Sequence, residues 1–223
     1  MPMIRKVNKN FFKEWSNEMA YVLGFLAADG YLTHNKRGAN YWSIKITDRA
    51  LLYSIRKIIQ SNHKINFREK RGNESAIYRL QIGSKEMCED LNKLGLTTNK
   101  TKSLSVPFVP DEFFSDFVRG YFDGDGHVWV GEIHKERKTR YITINTVFTS
   151  CSKKFLVSIS DRLKKLIDIK GSIREKKLGC YTLTYSVTSS LKLVNFMYNS
   201  INQSDSSLYL KRKKKVFDKY RRP

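Results

Sequence analysis

The sequence predicts an α+β fold of two pseudo-symmetric halves, each with the element order αββαββα. The first observation is an internal repeat, in which Tyr21–Gly30 (YVLGFLAADG) returns as Phe117–Gly126 (FVRGYFDGDG). The second is an Arg-Glu-Lys tripeptide that recurs in the same order, at Arg68 and Arg174, ahead of segments with alternating polarity. We therefore expect an antiparallel or mixed sheet in each half, covered on one face by helices.

Each half is expected to open with a helix that ends at a glycine, Gly30 in the first and Gly126 in the second. The N-cap candidates of these two helices are Ser16 and Asp111, because short polar side chains bond the free amides of a first turn. The same signal places the middle helices near Asp48 and Ser152 and the third helices near Ser84 and Ser189.

Strands are predicted where apolar and polar residues alternate, since successive strand residues point to opposite faces. The apolar series are Trp42, Ile44 and Ile46; Tyr78, Leu80 and Ile82; and Tyr181, Leu183 and Tyr185. The opposite faces carry Ser43, Lys45 and Thr47; Arg79 and Gln81; and Thr182, Thr184 and Ser186. Each predicted sheet therefore has one apolar and one polar face.

The predicted halves are residues 1–105 and 106–223, joined by a polar linker at about 96–110 that contains Pro107 and Pro110. The tail, Ser204–Pro223, is expected to add a basic helix to the second half.

The charge balance predicts a polyanionic partner. The chain has 223 residues with 42 Lys and Arg against 21 Asp and Glu, a net charge of +21, and a hydrophobic content of 40% excludes wholesale disorder. Nucleic acid is the commonest partner of such a protein, and polar sheet faces suit base edges and phosphates. The longest apolar run, Ala20–Ala28, is too short to cross a bilayer.

The opening helices carry small residues one turn apart, Gly24 and Ala28 in one copy and Gly120 and Gly124 in the other. Small residues at this spacing let two helix backbones approach closely, so we expect the two helices to pack side by side. A glycine inside a helix costs about 1 kcal/mol relative to alanine, which argues against its chance presence at the same place in both copies.

This packing would bring Asp29 and Asp125 together, each at a helix C-terminus where a carboxylate is disfavoured. Two carboxylates about 5 Å apart repel by roughly 3 kcal/mol at an effective dielectric near 20. Either Asp alone would be read as ending its helix before glycine, but the duplicated placement favours a shared divalent cation. All-oxygen ligation suits Mg²⁺, with Mn²⁺ or Ca²⁺ as occupants of the same sites. Beside a basic surface, such a centre predicts phosphodiester hydrolysis.

At these residues the sequence resembles the LAGLIDADG homing endonucleases, in the monomeric single-chain type with two motifs. The nine-residue motif maps onto Val22–Gly30 and Val118–Gly126. The resemblance implies that Asp29 and Asp125 are the catalytic metal-binding acids and that Ala28 and Gly124 offer backbone carbonyls to the metal. The sixth motif position is Ala27 in one copy and Asp123 in the other, so Asp123 is expected to pack near the helix interface rather than to act in catalysis.

The resemblance further implies a site-specific double-strand cut across the minor groove, one strand per Asp, with short 3′ overhangs and a long asymmetric DNA target. Candidates for residues that support the chemistry are Lys45, Lys85, Gln81 and Lys192. Candidate DNA contacts are Lys45, Arg68, Arg79, Gln81, Arg174, Thr182 and Thr184. The basic run Lys211–Lys215 is expected to attract phosphates without base readout.

Two alternative functions stay open on the sequence: an RNA maturase that assists intron splicing, and a cleavage-inactive DNA-binding protein on the same scaffold. The paired Asp residues favour the nuclease over both, because a binder has no need of two metal carboxylates. An intein-embedded copy is disfavoured, since Met1 is not a splicing Cys or Ser and the sequence ends in Arg-Arg-Pro.

The cysteines indicate an intracellular, reducing compartment. Cys88, Cys151 and Cys180 are odd in number and form no CxxC pair, which argues against a disulfide scaffold or a structural zinc site. We expect three inert thiols.

Overall fold

A computed structural model describes residues 5–35, 38–98, 100–133, 136, 139, 141–199 and 208–220. The first half comprises α1 (Asn17–Asp29), β1 (Gly30–His34), β2 (Asn40–Ile46), α2 (Arg49–Ile58), β3 (Ile65–Arg68), β4 (Ile77–Gly83) and α3 (Lys85–Lys93). A short helix, α4 (Lys100–Ser103), follows. The second half comprises α5 (Asp111–Asp125), β5 (Gly126–Ile133), β6 (Tyr141–Ser150), α6 (Lys153–Ile167), β7 (Ser172–Glu175), β8 (Tyr181–Tyr185), α7 (Val187–Tyr198) and α8 (Lys211–Tyr220).

Each half contains one four-stranded, wholly antiparallel sheet. The strand orders are β1-β2-β4-β3 and β5-β6-β8-β7, so the strand that follows each opening helix lies at a sheet edge. The register places buried Ile44 opposite Leu80 on the helix-covered face and Lys45 opposite Arg79 on the open face. The predicted α+β class, the element order of both halves and the two faces of the sheets are therefore confirmed.

The two opening helices pack directly against each other. A Cβ placed on Gly24 would collide with the backbone carbonyl of Phe117, and a Cβ placed on Gly120 would collide with that of Tyr21. This reciprocal contact requires glycine at both places, because the two backbones touch with no side chain between them. Residues 19–27 of α1 are all buried, between α5 on one side and the first sheet on the other.

The helix starts agree with the predicted caps in four of six cases. The side chains of Ser16, Asp48, Ser84 and Ser152 each accept a hydrogen bond from an amide of the first helical turn.

The predicted N-cap of α5 is wrong, and the start of α7 lies two residues before the predicted position. Pro110 occupies the N-cap position of α5, and Asp111 is instead the first helical residue, where its carboxylate binds the Arg162 guanidinium with a 3.1 Å bond from Nε. The third helix of the second half starts at Val187, after an N-cap at Ser186 rather than near Ser189. The predicted linker also contains more structure than expected, since α4 lies inside it.

The expectation of three free thiols is also wrong, because Cys151 and Cys180 form a disulfide. The register explains the pairing: Ser150 lies opposite Tyr181 at the end of the β6–β8 ladder, so the next two residues outward are the two cysteines. Cys88 remains a buried free thiol, and burial raises its pKa to about 11.

The predicted basic tail helix is α8, which packs against β5 and buries Phe217 together with Lys213. Among the helices of the described ranges, none has the length and apolar character that a bilayer span requires.

Candidate active site

Both opening helices pass into a strand without a connecting loop. Asp29 is the last residue of α1 and Gly30 the first of β1; Asp125 and Gly126 repeat this arrangement at the end of α5. The amide of Gly30 donates to the Leu26 carbonyl, which closes the last helical turn as the chain turns into the strand. Asp29 is the more exposed of the two carboxylates and Asp125 is half-buried, at the ends of two helices that are packed together.

The two carboxylates lie in one electrostatic environment. Partial withdrawal from water raises the pKa of Asp29 and, together with the negative charge of Asp29, raises the pKa of Asp125 to about 6. Lys100 and Lys213 lower the pKa of both carboxyl groups. A carboxyl pair held beside two cations in this way is typical of functional sites.

Each of these lysines binds the C-terminus of one opening helix. Lys100 Nζ donates to the carbonyls of Ala27 (3.0 Å) and Ala28 (3.3 Å) at the end of α1. Lys213 Nζ donates to the carbonyls of Phe122 (2.6 Å) and Asp123 (2.9 Å) at the end of α5, and to that of Gly126. Each ammonium therefore satisfies helix-end carbonyls and offsets the negative end of the helix dipole.

Burial affects both lysines in the same direction. Desolvation lowers the pKa of Lys100, and it lowers the pKa of Lys213 to about 8, against the opposing charges of the nearby Asp residues. The two halves thus present similar centres, although one lysine comes from the segment between the halves and the other from α8.

A cavity of about 170 Å³ opens beside Asp125. Its lining includes Ala28, Lys100, Tyr121, Asp125 and Cys151. The Tyr121 hydroxyl donates to the Thr149 carbonyl (2.8 Å), so this wall is fixed to β6.

The residues at the pair suit a hard divalent cation. Within the described ranges, neither the Asp29 nor the Asp125 carboxylate has a hydrogen-bond or ion-pair partner, and no cluster of three or more His, Cys, Asp or Glu that could hold a metal occurs there. The oxygens on offer are therefore two free carboxylates and neighbouring carbonyls, a donor set for Mg²⁺ or Ca²⁺ that leaves positions for substrate oxygens. Of the two carbonyls predicted as ligands, that of Ala28 accepts a hydrogen bond from Lys100 in this structure.

The small residues Ala28 and Gly124 meet at the level of the site. A Cβ on Gly124 would collide with the Cβ of Ala28, so the seam has room for one methyl group there. Asp123 lies nearby with an exposed fraction of 2%. Its carboxylate accepts from the Tyr21 hydroxyl (2.8 Å) and the Leu210 amide (2.7 Å), which places it in the packing near the helix interface, as expected.

The predicted supporting residues divide into two groups. Lys45 and Gln81 lie on the open face of the first sheet, where Lys45 stacks over the Tyr31 ring at 5.1 Å. Lys85 and Lys192 lie in the helical layer: Lys85 pairs with Glu89 on α3 (3.8 Å), and Lys192 donates to the Asp168 carbonyl at the end of α6 (3.3 Å). The lysines that the structure brings to the carboxylates are Lys100 and Lys213 instead.

The candidate DNA contacts lie on the open faces of the two sheets. In the first sheet, Lys45, Arg79 and Asn66 form a row across three strands, next to Arg68, which pairs with Glu74 at 2.6 Å. These residues border a groove of about 550 Å³.

In the second sheet, Arg174, Thr182 and Thr149 form the corresponding row, with Thr184 on the same face. Thr182 has an exposed fraction of only 5%. The second face is thus richer in hydroxyls and poorer in cations than the first.

Sequence reasoning missed Lys100 and Lys213. For Lys213 a signal existed, because Phe217 follows it at i+4 and Lys213 therefore lies on the apolar side of a basic helix. For Lys100 the local sequence offers none, since it is one of several polar residues in a linker.

Comparison with known proteins agrees with this architecture. The family model for the LAGLIDADG-like domain matches residues 16–95 and again residues 112–201. Among solved structures, the homing endonuclease I-WcaI bound to its DNA recognition sequence is similar, with a TM-score of 0.58 at 16% identity over 93% of this chain and 90% of the other. Mesophilic variants of the homing endonuclease I-DmoI give a TM-score of 0.55 at 16% identity over 89% of this chain and 99% of theirs.

I-SmaMI bound to an uncleaved DNA target in the presence of calcium ions gives a TM-score of 0.57 at 14% identity over 92% of this chain and 89% of that one. A curated relative, an uncharacterised protein of Methanocaldococcus jannaschii, is 24% identical over 74% of this chain, which spans about half (54%) of the relative's length. With two matched repeats, two motif helices packed at glycine and a fold shared with solved homing endonucleases, the chain belongs to the LAGLIDADG family.

Proposed function

We propose that this protein is a site-specific DNA endonuclease that cuts both strands with the help of a divalent cation. The observation that carries the proposal is the pair of unpartnered carboxylates, Asp29 and Asp125, held between Lys100 and Lys213 where the two open sheet faces begin. A protein that only bound DNA would gain nothing from two carboxylates at a basic surface, since they repel phosphates.

The proposed substrate is double-stranded DNA. The open faces would contact the two halves of the target, with Lys45 and Arg79 contributing on one side and Arg174 on the other. Because the two faces carry different side chains, the target is expected to be long and asymmetric, and one chain carries both faces, so we propose a monomer with halves at 1–105 and 106–223. The similar solved proteins include homing endonucleases bound to their target DNA.

The proposed cation is Mg²⁺, with Mn²⁺ and Ca²⁺ suited to the same oxygens. When bound, it supplies an activated water and charge neutralisation at the leaving oxygen. The chain's own contribution is to hold the carboxylates at one seam and to place two ammonium groups near them, one at the end of each opening helix. Each half would serve one strand, and attack across the minor groove would leave short 3′ overhangs.

The test is cleavage of supercoiled plasmid that carries the duplex formed by fusing the two sequences on either side of the intervening element that contains the reading frame. With Mg²⁺ we expect the wild type to give linear DNA. Asp29→Asn and Asp125→Asn should each give nicked or uncut plasmid while binding the duplex, since neither change removes a cation. Asp161→Asn, an exposed position on α6, is the matched control and should cut normally. Linear product from either site variant at the wild-type rate would refute the assignment.

A further inference from the structure

A line of buried charged residues on α5 has no equivalent on α1. Asp116, Arg119 and Asp123 have exposed fractions of 1–2%. At spacings of i, i+3 and i+7 they form one stripe along the helix, which we call the polar stripe. In the repeat, the positions that match them on α1 are Ala20, Leu23 and Ala27, all buried as well.

The apolar version on α1 shows that packing alone does not demand charge at these positions. Burying charged groups carries a desolvation penalty that apolar residues avoid, so an ionic stripe in place of an apolar one indicates a requirement for a specific arrangement. The partners of the polar stripe show which arrangement is specified.

Arg119 binds two separate parts of the chain near the C-terminus. Its guanidinium donates from Nη1 to the Met197 carbonyl (2.7 Å), at the end of α7, and from Nε to the Leu208 carbonyl (3.0 Å), ahead of α8. Nη2 forms an ion pair with Asp116, whose other oxygen accepts from Asn17 Nδ2 (2.8 Å). Two of the guanidinium's donors therefore fix backbone carbonyls of two separate segments, and a third fixes the Asp116 carboxylate.

Asp123 holds the next step of the same segment. Its carboxylate accepts from the Leu210 amide at 2.7 Å, and Leu208 and Leu210 have exposed fractions of 2% and 0%. Three residues after Leu210, the first turn of α8 places the Lys213 ammonium on the carbonyls that end α5. The stripe thus fixes residues 208–210, and these residues fix the position of Lys213 at the end of α5.

We propose that the polar stripe is a receptor for residues 208–213, and that Arg119 and Asp123 are positioning residues that set Lys213 on the carbonyls that end α5. Lys100, which reaches α1 from α4, does not depend on this receptor. The two helix ends therefore acquire their lysines independently, and disturbance of the stripe should displace Lys213 while leaving Lys100 in place. The part of the proposal that concerns strand cleavage rests on the proposed function; the part that concerns docking does not.

The docking test is lysine acylation of the full-length protein with an N-hydroxysuccinimide ester, read residue by residue by mass spectrometry. In the wild type, Lys213 should react far more slowly than exposed Lys211 and Lys215 of the same helix. A variant that copies α1 onto the stripe (Asp116→Ala, Arg119→Leu, Asp123→Ala, with Tyr21→Phe to avoid an unpaired hydroxyl) should accelerate acylation of Lys213 by about 10-fold or more. Lys100 is the internal control and should keep its wild-type rate.

The milder second variant combines Asp116→Ala with Arg119→Leu and keeps Asp123, so that no buried charge loses its ion-pair partner. It should have the same effect in a smaller degree. Acceleration at Lys100 as well would report general unfolding, and the milder variant then decides. Unchanged protection of Lys213 in a folded stripe variant would overturn the proposal.

The strand test uses the plasmid duplex with each strand labelled separately, in Mg²⁺. Asp125→Asn identifies the strand served by the second half. On that strand the stripe variants should be about 10- to 100-fold slower, and the other strand should slow less, because Lys213 binds the end of the helix that carries Asp125. Equal slowing of both strands would show that the stripe only stabilises the fold, and it would overturn the proposed positioning of Lys213. An inactive wild type would instead contradict the proposed function, and the acylation rates alone would then decide whether residues 208–213 dock on the stripe.

Discussion

At the scale of single residues, folding raises the pKa of both site carboxyl groups, so the folded protein disfavours their charged form. The pKa of Asp125 is raised to about 6, against an ordinary value near 4 in an unfolded chain. A carboxyl whose pKa is raised by folding stabilises the protein below the unfolded value, and this contribution is lost as the pH rises through the folded value. At neutral pH without metal, Asp125 therefore weakens the fold.

We accordingly expect Asp125→Asn to stabilise the metal-free protein at pH 7.5. The expected gain is about 1 kcal/mol, since the half-exposed position discounts the full shift. The gain should shrink as the pH falls from about 6 to about 4, where the wild-type carboxyl is also neutral. Urea unfolding in a chelator at several pH values measures this. A destabilised Asp125→Asn at pH 7.5 would contradict the account.

At the scale of elements, the contact between α1 and α5 is set by single methyl groups. At the level of the site, Gly124 faces the Cβ of Ala28. Gly124→Ala should destabilise the protein by about 1–3 kcal/mol, because it places two Cβ atoms in the space of one. Adding Ala28→Gly should recover part of this loss, although glycine in a helix itself costs about 1 kcal/mol. Urea unfolding of the single and double variants measures both effects.

The control for this exchange is Gly120→Ala, which meets the backbone carbonyl of Tyr21 rather than a side chain. Ala28→Gly should not rescue it. If both pairs behaved alike, the seam would not be packed as described.

The disulfide is a second feature at this scale. It links the end of β6 to the start of β8 across 29 residues, so its loss should cost about 3 kcal/mol through the greater freedom of the unfolded chain. Unfolding with and without dithiothreitol measures the difference, and the double variant Cys151→Ser, Cys180→Ser should be insensitive to reductant. Thiol titration of the unreduced, denatured protein should find Cys88 alone; three thiols would contradict the pairing.

At the scale of the whole molecule, two contributions to DNA affinity can be separated by experiment: the net charge of +21 and the placement of cations on the open sheet faces. The double variant Lys45→Met, Arg79→Met removes two cations from an open sheet face. It should lower the slope of log affinity against log salt by about 2 for a labelled random-sequence duplex, one for each phosphate contact.

The matched control Lys85→Met, Lys192→Met removes the same charge from the helical layer. Its slope should stay near the wild-type value. Equal slopes for the two variants would show that the overall field, rather than the sheet face, drives binding.

The same scale explains what the sequence could predict. The element order, the polar and apolar sheet faces and the glycine seam could be predicted, because each depends on residues inside one copy of the repeat. Lys100 and Lys213 were missed because both lie outside the matched repeats, and only the path of the chain returns them to α1 and α5. The cysteine pairing was missed because it depends on the β6–β8 register.

Because α1 passes directly into β1 and α5 into β5, each sheet is rigidly connected to the carboxylate at its first strand. A Cβ on Gly30 would lie 2.5 Å from the Leu26 carbonyl oxygen, and one on Gly126 would lie 2.6 Å from that of Phe122. Both junctions are therefore tightly packed and leave little room for movement. Under the proposed function, a sheet that tilts to follow a mismatched sequence would move its carboxylate away from the phosphate. Fidelity would then be enforced mechanically at the moment of cutting, even where a wrong sequence is still held.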